Sequence, residues 1–125
     1  MNANELTTPS LAYLGDAVIE LLVREKLISD GFSDSGNLNR ESLKYVKAGA
    51  QAAAMRNILP ALTEEEEAVF KRGRNMSGGN VPKSATMSEY RIATGMEVLF
   101  GYLHVTNKSE RMKELFSLAY STKKD

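Results

Sequence analysis

The chain has no cysteine and no tryptophan among its 125 residues. Without cysteine there is no disulfide framework, no thiol nucleophile and no thiolate zinc site. A single histidine, His104, excludes a multi-histidine metal centre within one chain. The longest apolar stretch, Ala17 to Val23, is interrupted by Glu20, far short of the roughly 20 residues that span a bilayer. The opening MNANELTTPS has neither the basic nor the apolar region of a secretory signal. Prolines number only three, and no repeat or low-complexity tract is evident. What remains is ordinary for a globular domain, 42% hydrophobic and 26% charged. At about 150 residues per domain the length suits one unit, 1–125, burying roughly two-thirds of its unfolded surface. A reduced, soluble, cytoplasmic protein is expected.

Net charge is absent too, with 16 basic and 16 acidic residues. That balance counts against nucleic-acid binding, where the domain is commonly basic overall. The charges are nevertheless segregated along the chain. Residues 1–35 carry a net −4 and residues 36–62 a net +3. The run Glu64–Glu67 carries −4, residues 71–91 carry +4, and the remainder +1. Such blocks fit an acidic centre flanked by phosphate-binding groups, and equally the solvated faces of ordinary helices.

The pattern predicts an all-α domain of about five principal helices, with no sustained strand alternation. Thr8-Pro9 reads as an N-cap followed by proline at the first helical position, opening a helix to about Leu27. Its sequence, SLAYLGDAVIELLVREKL, is apolar around most of its circumference, as a central helix would be. After a loop at 30–36, a second long helix is expected from near Asn37 to Leu59-Pro60. Thr63 with Glu66, and Thr86 with Glu89, form capping boxes for two more. The acidic run 64–67 complements a helix dipole, a simpler account than metal binding. The third helix should end at Lys71–Gly73, the fourth run to about His104, and a fifth start at Asn107. Between 74 and 86 lies a Gly-, Ser- and Asn-rich segment too long for an idle connector.

Two acids stand where core helices should have none. Asp16 follows Gly15 inside the first helix, where glycine costs about 1 kcal/mol relative to alanine. A close approach by another segment would explain the glycine, and a charge kept for use would explain the aspartate. Otherwise Asp16 pairs with Arg24 or a distant base, or simply faces water. Glu97 repeats the pattern between Gly95 and Gly101. Tyr90, Thr94, Glu97, Gly101 and His104 would share one polar face of that helix. Glu20 could join Asp16, but an i,i+4 pair with Arg24 suits it better. With no histidine or cysteine beside them, an Asp and a Glu make oxygen ligands for a hard cation, Mg²⁺ or Mn²⁺. Such an ion activates water against a phosphodiester. Lys71, Arg72, Arg74, Lys83 and Arg91 would hold further phosphates, with Asn75, Ser77 and Asn80 as hydrogen-bond donors and Gly78-Gly79 allowing close approach.

These residues resemble a known family. LAYLGDAVIELLV, Leu11 to Val23, resembles the signature helix of ribonuclease III domains, approximately LEFLGDAVL. ATGMEVLFGYL, Ala93 to Leu103, resembles the family's second acidic helix, approximately ADAFEALIGALYL. The small size and the KRGRN…VPK segment are most similar to its compact branch, which lacks a separate double-stranded-RNA-binding domain. The resemblance implies that Asp16 and Glu97 are catalytic, metal-binding positions. Two further family acids are replaced, by Ala12 and Thr94, as in that branch. It also implies a Mg²⁺-dependent endoribonuclease cutting double-stranded RNA, working as a homodimer with the signature helix near the interface. Maturation of precursor 23S ribosomal RNA is the implied task, with a ribosomal protein as a helper. The alternative is a non-catalytic RNA-binding or assembly module on the same fold.

Overall fold

A computed structural model describes residues 2–76 and 81–121. Ser77, Gly78, Gly79 and Asn80, offered above as RNA contacts, lie outside the described residues. Six α-helices follow one another: α1 (Thr8–Ser29), α2 (Ser35–Val46), α3 (Ala48–Ile58), α4 (Glu64–Arg74), α5 (Met87–Val105) and α6 (Ser109–Ala119). Short 3₁₀ turns cover Ala3–Glu5 and Leu59–Ala61. The expected all-α class holds, and no strand occurs among the described residues.

The capping boxes at Thr63/Glu66 and Thr86/Glu89 are both formed. The start of α1 differs by one residue. Thr7 is the cap, its hydroxyl accepting from Ser10 N–H at 3.1 Å, which leaves the Thr8 hydroxyl for other use. At the other end Gly31, at φ 101°, turns the chain so that Phe32 N–H reaches Leu27 C=O, a glycine-closed Schellman end.

The single helix expected over 37–59 is two. The break falls at Lys47, whose extended backbone (φ −62°, ψ 147°) separates α2 from α3. In an unbroken helix the Tyr45 carbonyl would accept from residue 49. Instead it accepts from the Tyr120 hydroxyl at 2.8 Å, and the Tyr45 and Tyr120 rings meet 5.0 Å apart. Tertiary packing thus takes up the carbonyl freed at the break, which no proline marks. The last helix begins two residues later than expected. Asn107 does not open it but sits in the left-handed region at φ 59°. Lys108 N–H bonds back to Leu103 C=O and Asn107 N–H to His104 C=O, so Asn107 closes α5.

Helix α5 is the axis of the molecule. It packs most extensively on α1, then on α4 and α3, and Met96, Val98, Leu99, Phe100 and Leu103 are wholly buried along it. The face expected to be polar is so only in part, since Thr94 and Gly101 are buried. Thr94 turns its hydroxyl onto its own helix, donating to Tyr90 C=O at 2.9 Å.

Candidate active site

The acids are brought together by glycines. A Cβ placed on Gly15 would lie 2.5 Å from the Glu97 carbonyl carbon, inside any allowed contact. One on Gly101 would lie 3.0 Å from the Leu11 carbonyl carbon. Helices α1 and α5 therefore cross antiparallel with main chain against main chain, and the residue after Gly15 stands beside Glu97. On the opposite flank of α5, a Cβ on Gly73 would come within 2.8 Å of the Gly95 Cα, so α4 presses equally close.

At the first crossing Asp16 lies within hydrogen-bonding and Coulombic reach of Glu97. Asp16 is exposed and Glu97 is half-buried by residue surface. Burial first, and the neighbouring Asp16 charge second, push the Glu97 carboxyl up to about 8. The shift has the sign expected of a carboxylate that is desolvated and given a like charge as its neighbour. Neither acid has an ion-pair partner among the described residues. Arg24 is taken by Glu20 at 3.1 Å, so Glu20 stays out of the acidic pair. The only groups of Asp, Glu, His or Cys that could hold an ion there number fewer than three among the described residues. Two carboxylates with one open side still suit Mg²⁺ or Mn²⁺, ions that keep several waters.

The basic groups divide. Arg74, Asn75 and Arg91 meet Met87, Ser88 and Ile92 around an open cleft of about 490 Å³. Arg74 also lies over the Phe70 ring, 5.8 Å from its centroid. Neither guanidinium is paired with a carboxylate among the described residues. Lys71 stands apart on the exposed side of α4, 3.9 Å from Glu67. Arg72 donates to Thr8 Oγ1 at 3.0 Å. Lys83 is exposed in the turn before α5. Ser88, Met87 and Thr8 escaped the sequence reading. The first two lie inside a capping box and Thr8 was taken for the cap itself, so the local pattern already had a use for each. Neither this cleft nor the grooves between α1 and α2 and between α1 and α6 is lined by Asp16 or Glu97.

A helical domain whose two longest helices cross on glycine and set a carboxylate from each side by side has the frame of a ribonuclease III domain. The chain belongs to that family, its residues 9–108 matching the ribonuclease III domain. Its relatives point to the compact branch. It is 48% identical to Mini-ribonuclease 3 of Symbiobacterium thermophilum, across 94% of this chain and 92% of the relative. With Mini-ribonuclease 3 of Enterococcus faecalis the identity is 44%, across 90% and 87% respectively. A crystal structure of a Fusobacterium nucleatum protein shares the fold at a TM-score of 0.83 and 29% identity, covering 94% of this chain and 93% of that one. The chain is thus of the ribonuclease III type, a ribonuclease and hydrolase by family, and the resemblance read from its two acidic helices is borne out.

Proposed function

We propose that the protein is a Mg²⁺-dependent endoribonuclease of double-stranded RNA in which Asp16 and Glu97 together hold the cation. The observation that carries this is the convergence of the two acids, one of them half-buried, with no basic side chain paired to either among the described residues. A fold that buries a carboxylate beside another carboxylate pays for it in stability unless a cation arrives. A bound Mg²⁺ supplies positive charge to the scissile phosphate and acidifies the attacking water. Glu97 would bind such an ion as the carboxylate, with the exposed Asp16 as the second oxygen ligand. Exposed Asp16 leaves the pair reachable from solvent. Arg74 and Arg91, with Asn75 and Ser88 beside them, seat a backbone phosphate in their cleft, and Lys71, Arg72 and Lys83 add to the field. Recognition is then led by backbone and shape and weakens steeply with salt.

Two such sites are needed to cut both strands, and α1 offers the means of pairing them. Tyr13 is 86% exposed, Leu21 57% and Ile28 64%. With exposed Ala17 between them, they share one face at helical spacing, bordering Asp16 and interrupted by the exposed Arg24 paired with Glu20. A homodimer through this surface would set the acid pairs on one face. Precursor 23S ribosomal RNA in the cytoplasm, with a ribosomal protein helper, is the biological substrate that this reading favours.

The second reading, a non-catalytic RNA-binding module, draws on Ala12 and Thr94. Ala12 is buried, and the Thr94 hydroxyl is spent on its own helix. Incubating the protein with duplex RNA in Mg²⁺ or in EDTA separates the two. Fragments that depend on Mg²⁺, and vanish in Asp16→Asn while duplex binding persists, support the enzyme; binding without cleavage supports the module.

A further inference from the structure

Of the five basic side chains assigned to RNA, one is tethered to the helix that bears Asp16. Arg72, near the end of α4, donates through Nη2 to Thr8 Oγ1 across 64 residues of sequence. Helices α1 and α4 otherwise touch only lightly. The Thr8 hydroxyl has no part in capping α1, because Thr7 performs that task. Thr8, Ala12 and Asp16 follow one another at four-residue spacing and so form a single row along α1. Eight residues of helix separate the Arg72 tether from the acid by about 12 Å. Arg72 has no carboxylate partner among the described residues, and the one side-chain bond to Thr8 orients it.

We propose that Thr8 is a positioning residue for substrate binding. By accepting a hydrogen bond from Arg72, it holds the guanidinium at one end of the α1 row, where it meets a backbone phosphate a few nucleotides from the one cut at Asp16 and Glu97. A free arginine must lose rotamer freedom when it binds a phosphate, and one already tethered loses less. Arg72 keeps further N–H donors for the phosphate after the one given to Thr8. The inference rests on the nuclease reading above.

The test uses the full chain, a short RNA duplex and Mg²⁺. Thr8→Val removes the hydroxyl at nearly constant shape, and Thr8→Ser keeps it. Thr8→Val should raise KM by about three- to tenfold, the scale of one net hydrogen bond, with kcat within about twofold of the parent. Thr8→Ser should restore the parent KM. Arg72→Gln should lower the slope of log affinity against log salt by about one, and Thr8→Val added to it should change KM no further. An unchanged KM in Thr8→Val, full additivity with Arg72→Gln, or a KM rise matched by a fall in melting temperature would each overturn the positioning role. If the parent protein neither binds nor cleaves the duplex, the nuclease reading fails instead, and the two failures cannot be confused.

Discussion

Two corners of the molecule each bury a glutamate, and they treat it in opposite ways. At the junction of α4 and α6, Glu66 is only 4% exposed and is clasped by Arg111, whose Nε and Nη2 donate to its two oxygens at 2.9 Å each. The same Arg111 also donates to Ala61 C=O and to Glu114. The guanidinium, with help from Thr63, holds the Glu66 carboxyl below the usual carboxylate range. At the crossing of α1 and α5, Glu97 has Asp16 for company and its carboxyl is driven upward. One site is closed, with every charge answered from within the chain. The other is left short of positive charge. A buried acid given an arginine is a fastening, whereas an acid given another acid is a charge left unmet.

The contrast is open to attack, beginning with its largest consequence. Asp16→Asn and Glu97→Gln should each cut duplex cleavage on the order of a thousandfold or more by weakening cation binding. Glu66→Gln should leave turnover per folded molecule close to the parent. A single-turnover assay on the three variants checks this, and full activity in Glu97→Gln would break the comparison. Stability should respond in reverse. Arg111→Ala strands the Glu66 charge and should cost about 2–4 kcal/mol in urea denaturation, allowing for partial solvation. Glu97→Gln should not destabilise the metal-free protein at all.

Gly15→Ala comes next, with an expected loss of about 1–3 kcal/mol, because the methyl meets immovable main chain at the Glu97 carbonyl. Since the crossing also sets the spacing of the acids, activity should fall by more than the folded fraction does. Parallel melting and cleavage assays on that variant would show the difference.

A pH dependence remains. Glu97 has a folded-state value of about 8 against 4.5 for the free group, so the folded protein binds more protons than the unfolded one between those limits. Stability in EDTA should therefore be greatest below about 4.5 as far as this group is concerned, and should decline as pH rises towards 8. Apparent Mg²⁺ affinity should rise by up to about tenfold per pH unit below 8 and then level off, because the ion displaces the proton. Calorimetric melts and Mg²⁺ titrations from pH 6 to 9 measure both trends, and Glu97→Gln should flatten each of them.

The open corner was the more legible of the two from sequence. Gly15-Asp16, and Glu97 between its flanking glycines, break rules that helix interiors otherwise obey, and breaches of local preference stand out in a single chain. The closed corner obeys the rules. Glu66 looked like a capping-box residue, which it is, and nothing local announced that Arg111, 45 positions away, would grip it as well. Long-range pairings of common residues leave no local trace. The break at Lys47 was hidden for the same reason: the hydroxyl that takes up the freed carbonyl belongs to Tyr120, which the pattern around residue 47 does not contain. Asn107 was misread because asparagine suits a helix start and a left-handed helix end alike, and only the returning bonds to Leu103 and His104 decide between them. Among the basic residues, helical spacing could not tell which would converge. Arg74 and Arg91 share a cleft because α4 ends where α5 begins, whereas Lys71 points elsewhere.

The contact of Gly15 with the Glu97 carbonyl makes the interval between the two carboxylates a property of the polypeptide backbone rather than of the packing around it. The two-helix crossing is for this reason a portable element: grafted onto an unrelated antiparallel pair, with both glycines and both acids retained, it would bring its clasp with it.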